Sequence, residues 1–196
     1  MTKKQMIRQY VQTKICILLK QKDSGTGKAA LANLRHGVGK KPGELPELWG
    51  AFLEDAPEGL YSDCKGTSKP QKEEWAVYTA LTLFAVHQQG KADSVNADGI
   101  NLGEAAANLM GGRGDDERER VLRRFSPVVT AASMEELSHY LRMMIQLFKG
   151  KDILLDYAEL AGDIYDFQFE GSRNSVQLKW GRGFYKKTNF YEEKGE

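Results

Sequence analysis

The chain of 196 residues is 41 % hydrophobic and 28 % charged, which suffices for a buried core and excludes wholesale disorder. Its 28 Lys+Arg against 27 Asp+Glu leave a net charge of +1, and two cysteines, Cys16 and Cys64, are too few for a disulfide framework or a four-cysteine zinc site. No apolar run is long enough to span a bilayer, and Lys3, Lys4 and Arg8 open the chain without a secretory apolar stretch, so a cytoplasmic protein without a membrane partner is expected.

A first helix is predicted over residues 3–22, with Ile7, Tyr10, Val11, Ile15 and Leu18 on one stripe. Asp23-Ser24-Gly25-Thr26-Gly27 breaks it, and Lys28 to His36 reads as a short helix closed by Gly37. After a Gly/Pro/Lys loop, Leu48, Trp49, Phe52 and Leu53 restart a helical pattern that Pro57-Glu58-Gly59 ends. The polar stretch Asp63 to Lys72, with Gly66 and Pro70, is expected to be a mobile loop. Glu73 to Gln89 is the clearest helix of the first half, with Trp75, Tyr78, Leu81, Thr82 and Ala85 at core spacing. Asn101 to Leu109 forms another short helix before the Gly111-Gly112-Arg113-Gly114 break. Asp115, Asp116 and Glu117 then suit a helix N-terminus, with Arg123 and Arg124 at the far end and Ser126-Pro127 expected to stop it. Ser133-Met134-Glu135-Glu136 reads as a capping box opening a helix to about Lys149, with Met134, Leu137, Leu141, Met144, Ile145 and Phe148 inward. Asp156 with Glu159 starts a helix to about Phe167, and Val176 to Trp180 fits either a short strand or a helical turn. The expected fold class is all-α.

Motifs that carry chemistry mostly fail on inspection. Ser24-Gly25-Thr26-Gly27-Lys28-Ala29 has Lys22 and Ala29 where a phosphate-binding loop needs Gly and Ser/Thr, and no strand precedes it. Asn96, Asp98 and Gly99 have calcium-loop spacing, but Ala105 stands where the bidentate Glu is required. Glu136 and His139 are three apart, without the second pair and further Glu residues of a carboxylate-bridged metal site. No nucleophile elbow is present. No catalytic residue, metal or cofactor is therefore expected.

Basic groups at helical spacing remain. Residues 1–50 carry ten Lys/Arg against three acids, and Gly171 to Tyr191 holds Arg173, Lys179, Arg182, Lys186 and Lys187 with no acid at all. Lys28, Arg35 and His36 share one predicted helix, Arg120, Arg123 and Arg124 group at i, i+3 and i+4 on another, and Arg142 and Lys149 lie seven apart. Together with Lys179, Arg182, Lys186 and Lys187 they can form an interrupted positive strip that follows a sugar-phosphate backbone by charge. The alternative is a helical scaffold that makes protein–protein contacts only.

Five motifs, in order, resemble the CasB family, small subunits of the type I-E CRISPR surveillance complex Cascade. Gly27 to Gly37 resembles its "Ala-x-Leu-Arg-Arg-Gly" helix, with His36 in place of the second arginine. Ile100 to Ala105 is similar to its "Leu-Gly-x-Ala" helix, and Glu119 to Arg124 to its arginine-bearing one. Leu154 to Tyr165 resembles "Leu-Asp-Tyr-x-x-Leu-x-x-Asp-Leu-Tyr", and Trp180 to Tyr185 its "Trp-Gly-x-x-Phe" end. The resemblance implies a non-catalytic, all-helical subunit of two packed halves, taken as residues 1–112 and 113–196. It further implies as partners CRISPR guide RNA, target DNA, the backbone and large subunits of the complex, and a second copy of the chain. In such a complex RNA pairing supplies sequence, while protein contacts to the backbone and displaced strand stabilise the R-loop.

Overall fold

Helix α4 (Lys72–Gln88) is enclosed on every side, with each residue from Ala76 to Gln88 buried. In the computed structural model, which describes residues 1–61, 69–110 and 115–193 and, Asp115 apart, their side chains up to Lys186, the other helices assemble around it. They are α1 (Lys3–Gln21), α2 (Gly25–His36), α3 (Trp49–Leu53, after a 3-10 turn at Pro46–Leu48), α5 (Leu102–Ala107), α6 (Asp115–Val129), α7 (Met134–Gly150), α8 (Tyr157–Phe167) and α9 (Glu170–Glu193). The described residues contain no strand, only an isolated parallel bridge between Asn96 and Leu155, and the fold is all-α. The 111–114 break, Cys64 and most of the loop expected between Asp63 and Lys72 lie outside the described residues.

α1, α2, α7 and α8 all pack on α4, and α8 also packs on α1. One continuous core results, running from Ile7 on α1 through Phe84 on α4 to Phe184 on α9. Side-chain caps start these helices: α1 and α8 begin where the sequence places them, whereas α2 begins at Gly25, three residues ahead of the expected Lys28. Thr2 and Gln5 form a reciprocal cap on α1, Ser24 accepts from Gly27 N–H at 3.0 Å, and Asp156 accepts from Glu159 N–H at 2.7 Å. Asp156 has a second task, accepting from Gly99 N–H at 2.9 Å, while Asn96 Oδ1 accepts from Tyr157 N–H at 2.9 Å. The segment with calcium-loop spacing is therefore a strap that fastens the start of α8.

The densest packing joins α5 to α9. Glycine allows it: a Cβ on Gly103 would sit 1.8 Å from the carbonyl oxygen of Trp180, and one on Gly183 would sit 2.3 Å from Oδ1 of Asn101, the N-cap of α5. The backbones touch because neither glycine interposes a side chain.

Two expectations need correction, and one open alternative is decided. Pro127 does not stop α6, which runs on to Val129; proline's fixed φ is helical, and the last turn closes when Thr130 donates to the Ser126 carbonyl through both N–H (3.0 Å) and hydroxyl (2.9 Å). Of the two alternatives for Val176 to Trp180 the helical one holds, and it extends far beyond a turn, as part of the long α9. Trp75, placed at core spacing, is only half-buried, whereas Thr79, His87 and Gln88 are fully buried, because α4 has no solvent face along most of its length.

Candidate nucleic-acid interface

The close approach of α1 to α2 begins the site. A Cβ on Gly27 would lie 1.9 Å from the Gln21 carbonyl, so glycine there lets the start of α2 press against the end of α1 and brings Lys22 near Lys28. α2 then runs antiparallel to α4, pinned at its far end where the Tyr78 hydroxyl donates to the Gly37 carbonyl at 2.9 Å. One stripe of α2, Lys28, Leu31 and Arg35, faces a cleft of about 260 Å3 closed by Lys22, Asp23 and residues 88–92.

α7 runs past the rim of this cleft. Glu135, Arg142 and Lys149 are spaced by seven and share a face. Glu135 pairs with Lys41 at 3.2 Å, Arg142 Nη1 lies 3.5 Å from the position of a Cβ on Gly39, and Lys149 Nζ donates to Gln89 Oε1 at 2.9 Å. The C-termini of α1, α4 and α7 thus meet beside α2, and their carbonyl ends favour cations there. The cations still crowd one another. Partial burial, then Lys91 and Arg35, hold the Lys149 ammonium below its usual range. Beneath them His87 is pushed down to about 4 by burial and then by Lys91 and Lys149. The neighbouring carboxylate Asp152 is engaged with Lys91.

Of the expected residues, Lys28 and Arg35 therefore line the cleft and Lys149 reaches its rim, while Arg142 lies two turns back along α7 beside Gly39 and His36 is exposed at the end of α2. Lys22 and Lys91 join them unforeseen; both sit at helix ends outside any periodic pattern, and Gly90 just before Lys91 was the available clue. Arg120, Arg123 and Arg124 are exposed on α6, which packs against a different face of α7, through Glu136 and Tyr140. Arg123 Nε lies 3.9 Å from Glu119 one turn back, an exposed pairing of little strength.

Lys179 differs from the others. Its Nζ donates to both Asp163 oxygens at 2.7 and 2.8 Å and lies 2.7 Å from Glu159. Burial alone would pull this ammonium down, but Asp163 and Glu159 more than offset that and hold it above its usual range. Asp163 also accepts from Trp180 Nε1 at 2.9 Å and faces Lys4 at 3.6 Å; burial pushes its carboxyl up against the pull of these cations. The acid-free stretch 171–191 thus receives its carboxylates from α8. Arg182 and Lys186 are exposed on α9, which packs chiefly on α5 and α8, and the Lys187 side chain lies outside the described residues.

Among the described residues no group of His, Cys, Asp and Glu could hold a metal ion, and no helix is long and apolar enough to cross a membrane. The motif residues Gly103, Asp156, Asp163, Trp180 and Gly183 build helix caps and crossings, while cations gather on the surface: this is a helical scaffold that presents charge. Residues 30–185 match the family model described as CRISPR-associated protein Cse2, and the chain belongs to that family. The fold is similar to CasB from Thermobifida fusca (32 % identity, 92 % of this chain and 98 % of that one, TM-score 0.77). It is also similar to M. ruber CasB (26 %, 93 % and 96 %, TM-score 0.67). A Cse2-family CRISPR-associated protein from Thermus thermophilus shares the fold at 20 % identity, 90 % and 97 % coverage and TM-score 0.64. No match was found among curated protein sequences.

Proposed function

We propose that the chain is a non-catalytic small subunit of a type I-E Cascade-type CRISPR complex, and that its basic surface grips sugar-phosphate backbone to stabilise the R-loop. The partners in this reading are guide RNA, target DNA with its displaced strand, the backbone and large subunits, and a second copy of the chain. The observation that carries the reading is the convergence of Lys22, Lys28, Arg35 and Lys91 on one cleft, with Lys149 at its rim. Cations placed so that they repel one another gain most from an anion, and a phosphate backbone supplies a row of them. Arg142 extends the surface along α7, while Arg120, Arg123, Arg124, Arg182 and Lys186 form further basic ground on α6 and α9. Lys179 is left out because it is tied internally.

The test is duplex opening by a reconstituted complex carrying Arg35→Glu and Lys149→Glu, read at several salt concentrations. Weaker opening with intact assembly supports the reading. Opening equal to the parent's, with the same salt dependence, would mean a scaffold that only holds its neighbours.

A further inference from the structure

The cleft between α2 and the end of α4 has a chemical property distinct from charge alone. Lys149 reaches its rim, where Nζ donates to Gln89 Oε1 at 2.9 Å, and Gln89 itself lines the cleft. The walls carry Lys28, Arg35 and Lys91, a set of donors suited to a tetrahedral dianion. We propose that Lys149 is an acylation site, accepting the acyl group of a small acyl phosphate whose phosphate is seated by Arg35 and Lys91.

In the step, the neutral amine of Lys149 attacks the carbonyl carbon of the acyl phosphate. The carbon–oxygen bond to phosphate breaks, inorganic phosphate leaves with the electron pair, an amide forms, and the surplus proton passes to solvent. Nothing is oxidised or reduced. Arg35 and Lys91 act twice: they attract the donor and, after burial, they are what disfavours the ammonium form of Lys149. Gln89 accepts one N–H and so turns the amine's lone pair away from itself. The other charged groups here are Lys22 and Asp23 at the end of α1, Lys28 on α2, His87 within α4, and Asp152 beyond α7, which is engaged with Lys91. Acylation removes a positive charge from the basic cleft; its effect on strand binding rests on the function proposed above, whereas the acylation itself does not.

The purified chain is incubated with acetyl phosphate near neutral pH, and lysine occupancy is followed by peptide mass spectrometry. The exposed loop residue Lys40 serves as internal reference, and a parallel arm uses acetic anhydride, which has no phosphate to be seated. Lys149 should be modified several-fold faster than Lys40 by acetyl phosphate, and this preference should fall with added inorganic phosphate and in an Arg35→Gln variant with an unchanged thermal transition. The anhydride arm should show a smaller preference that phosphate does not alter. A Lys149 rate no faster than that of Lys40, or a preference untouched by phosphate and by Arg35→Gln, would overturn the assignment. Strand binding by the acetylated protein is measured separately: rapid acylation with unchanged binding rejects the function reading and leaves the acylation site standing.

Discussion

His87 shows how one residue couples the core to the basic cleft. It is fully buried, its Nδ1 lies 3.0 Å from the Tyr157 hydroxyl, and its folded pKa of about 4 compares with an ordinary 6.5. Between these values the unfolded chain binds the proton and the folded chain does not. Stability is therefore full above about pH 6.5 and falls as pH drops towards 4, by up to about 3 kcal/mol from this residue. Denaturant melts of wild type and His87→Gln across that range should show a shallower slope in the variant; parallel curves would remove His87 from the account. Asp156 works by geometry instead. Asp156→Ala leaves the N–H groups of Glu159 and Gly99 without their acceptor, at a cost of about 1–3 kcal/mol, and should leave strand binding by the folded protein unchanged. Thermal melts alongside a binding titration check both parts.

At the scale of elements, α9 sets the sharpest contrast. Gly181 and Gly183 are two residues apart in one helix, yet a Cβ on Gly181 meets nothing within 4 Å while one on Gly183 strikes the cap of α5. Gly181→Ala should raise stability by about 0.5–1 kcal/mol through helix propensity, whereas Gly183→Ala should lower it by about 1–3 kcal/mol. Opposite shifts in melting temperature are the expected result, and equal shifts would mean that the α5–α9 crossing can relax. Sequence patterns could not foresee this pair, since both glycines look alike in a helix of mixed composition. The same patterns placed α1, α7 and α8 closely because each begins with a side-chain cap, and α1 and α7 each bury one face. They failed where tertiary burial replaces periodicity, as on α4, and where a breaker falls in a final turn, as Pro127 does. The capping box at α7 also shifts register: Glu136 accepts from Ala132 N–H at 2.9 Å rather than from Ser133.

For the whole molecule, charge that sequence counts as one strip divides by what surrounds it. Helical spacing correctly grouped Lys28 with Arg35 and Arg142 with Lys149, because those pairs lie within single helices. It could not reveal that α7 brings Lys149 to the rim of the cleft that Lys28 and Arg35 line, nor that α8 carries Asp163 and Glu159 to Lys179. These two environments predict opposite outcomes for removing a positive charge. Neutralising Lys28, Arg35 and Lys91 to Gln should leave the fold intact, since their heads line an open cleft. It should flatten the dependence of log affinity on log salt by about 0.7–0.9 for each phosphate no longer neutralised. Lys179→Met should do the reverse. It strands Asp163, a carboxylate 1 % exposed that also holds Trp180, and the lysine keeps about a third of its side chain in water. A loss of about 1–3 kcal/mol follows, smaller than for a fully buried pair, with the salt slope unchanged. Melting curves and salt titrations on the two variants separate the roles. A flattened slope in Lys179→Met at full stability would return that lysine to the binding surface and count against the division drawn from its partners.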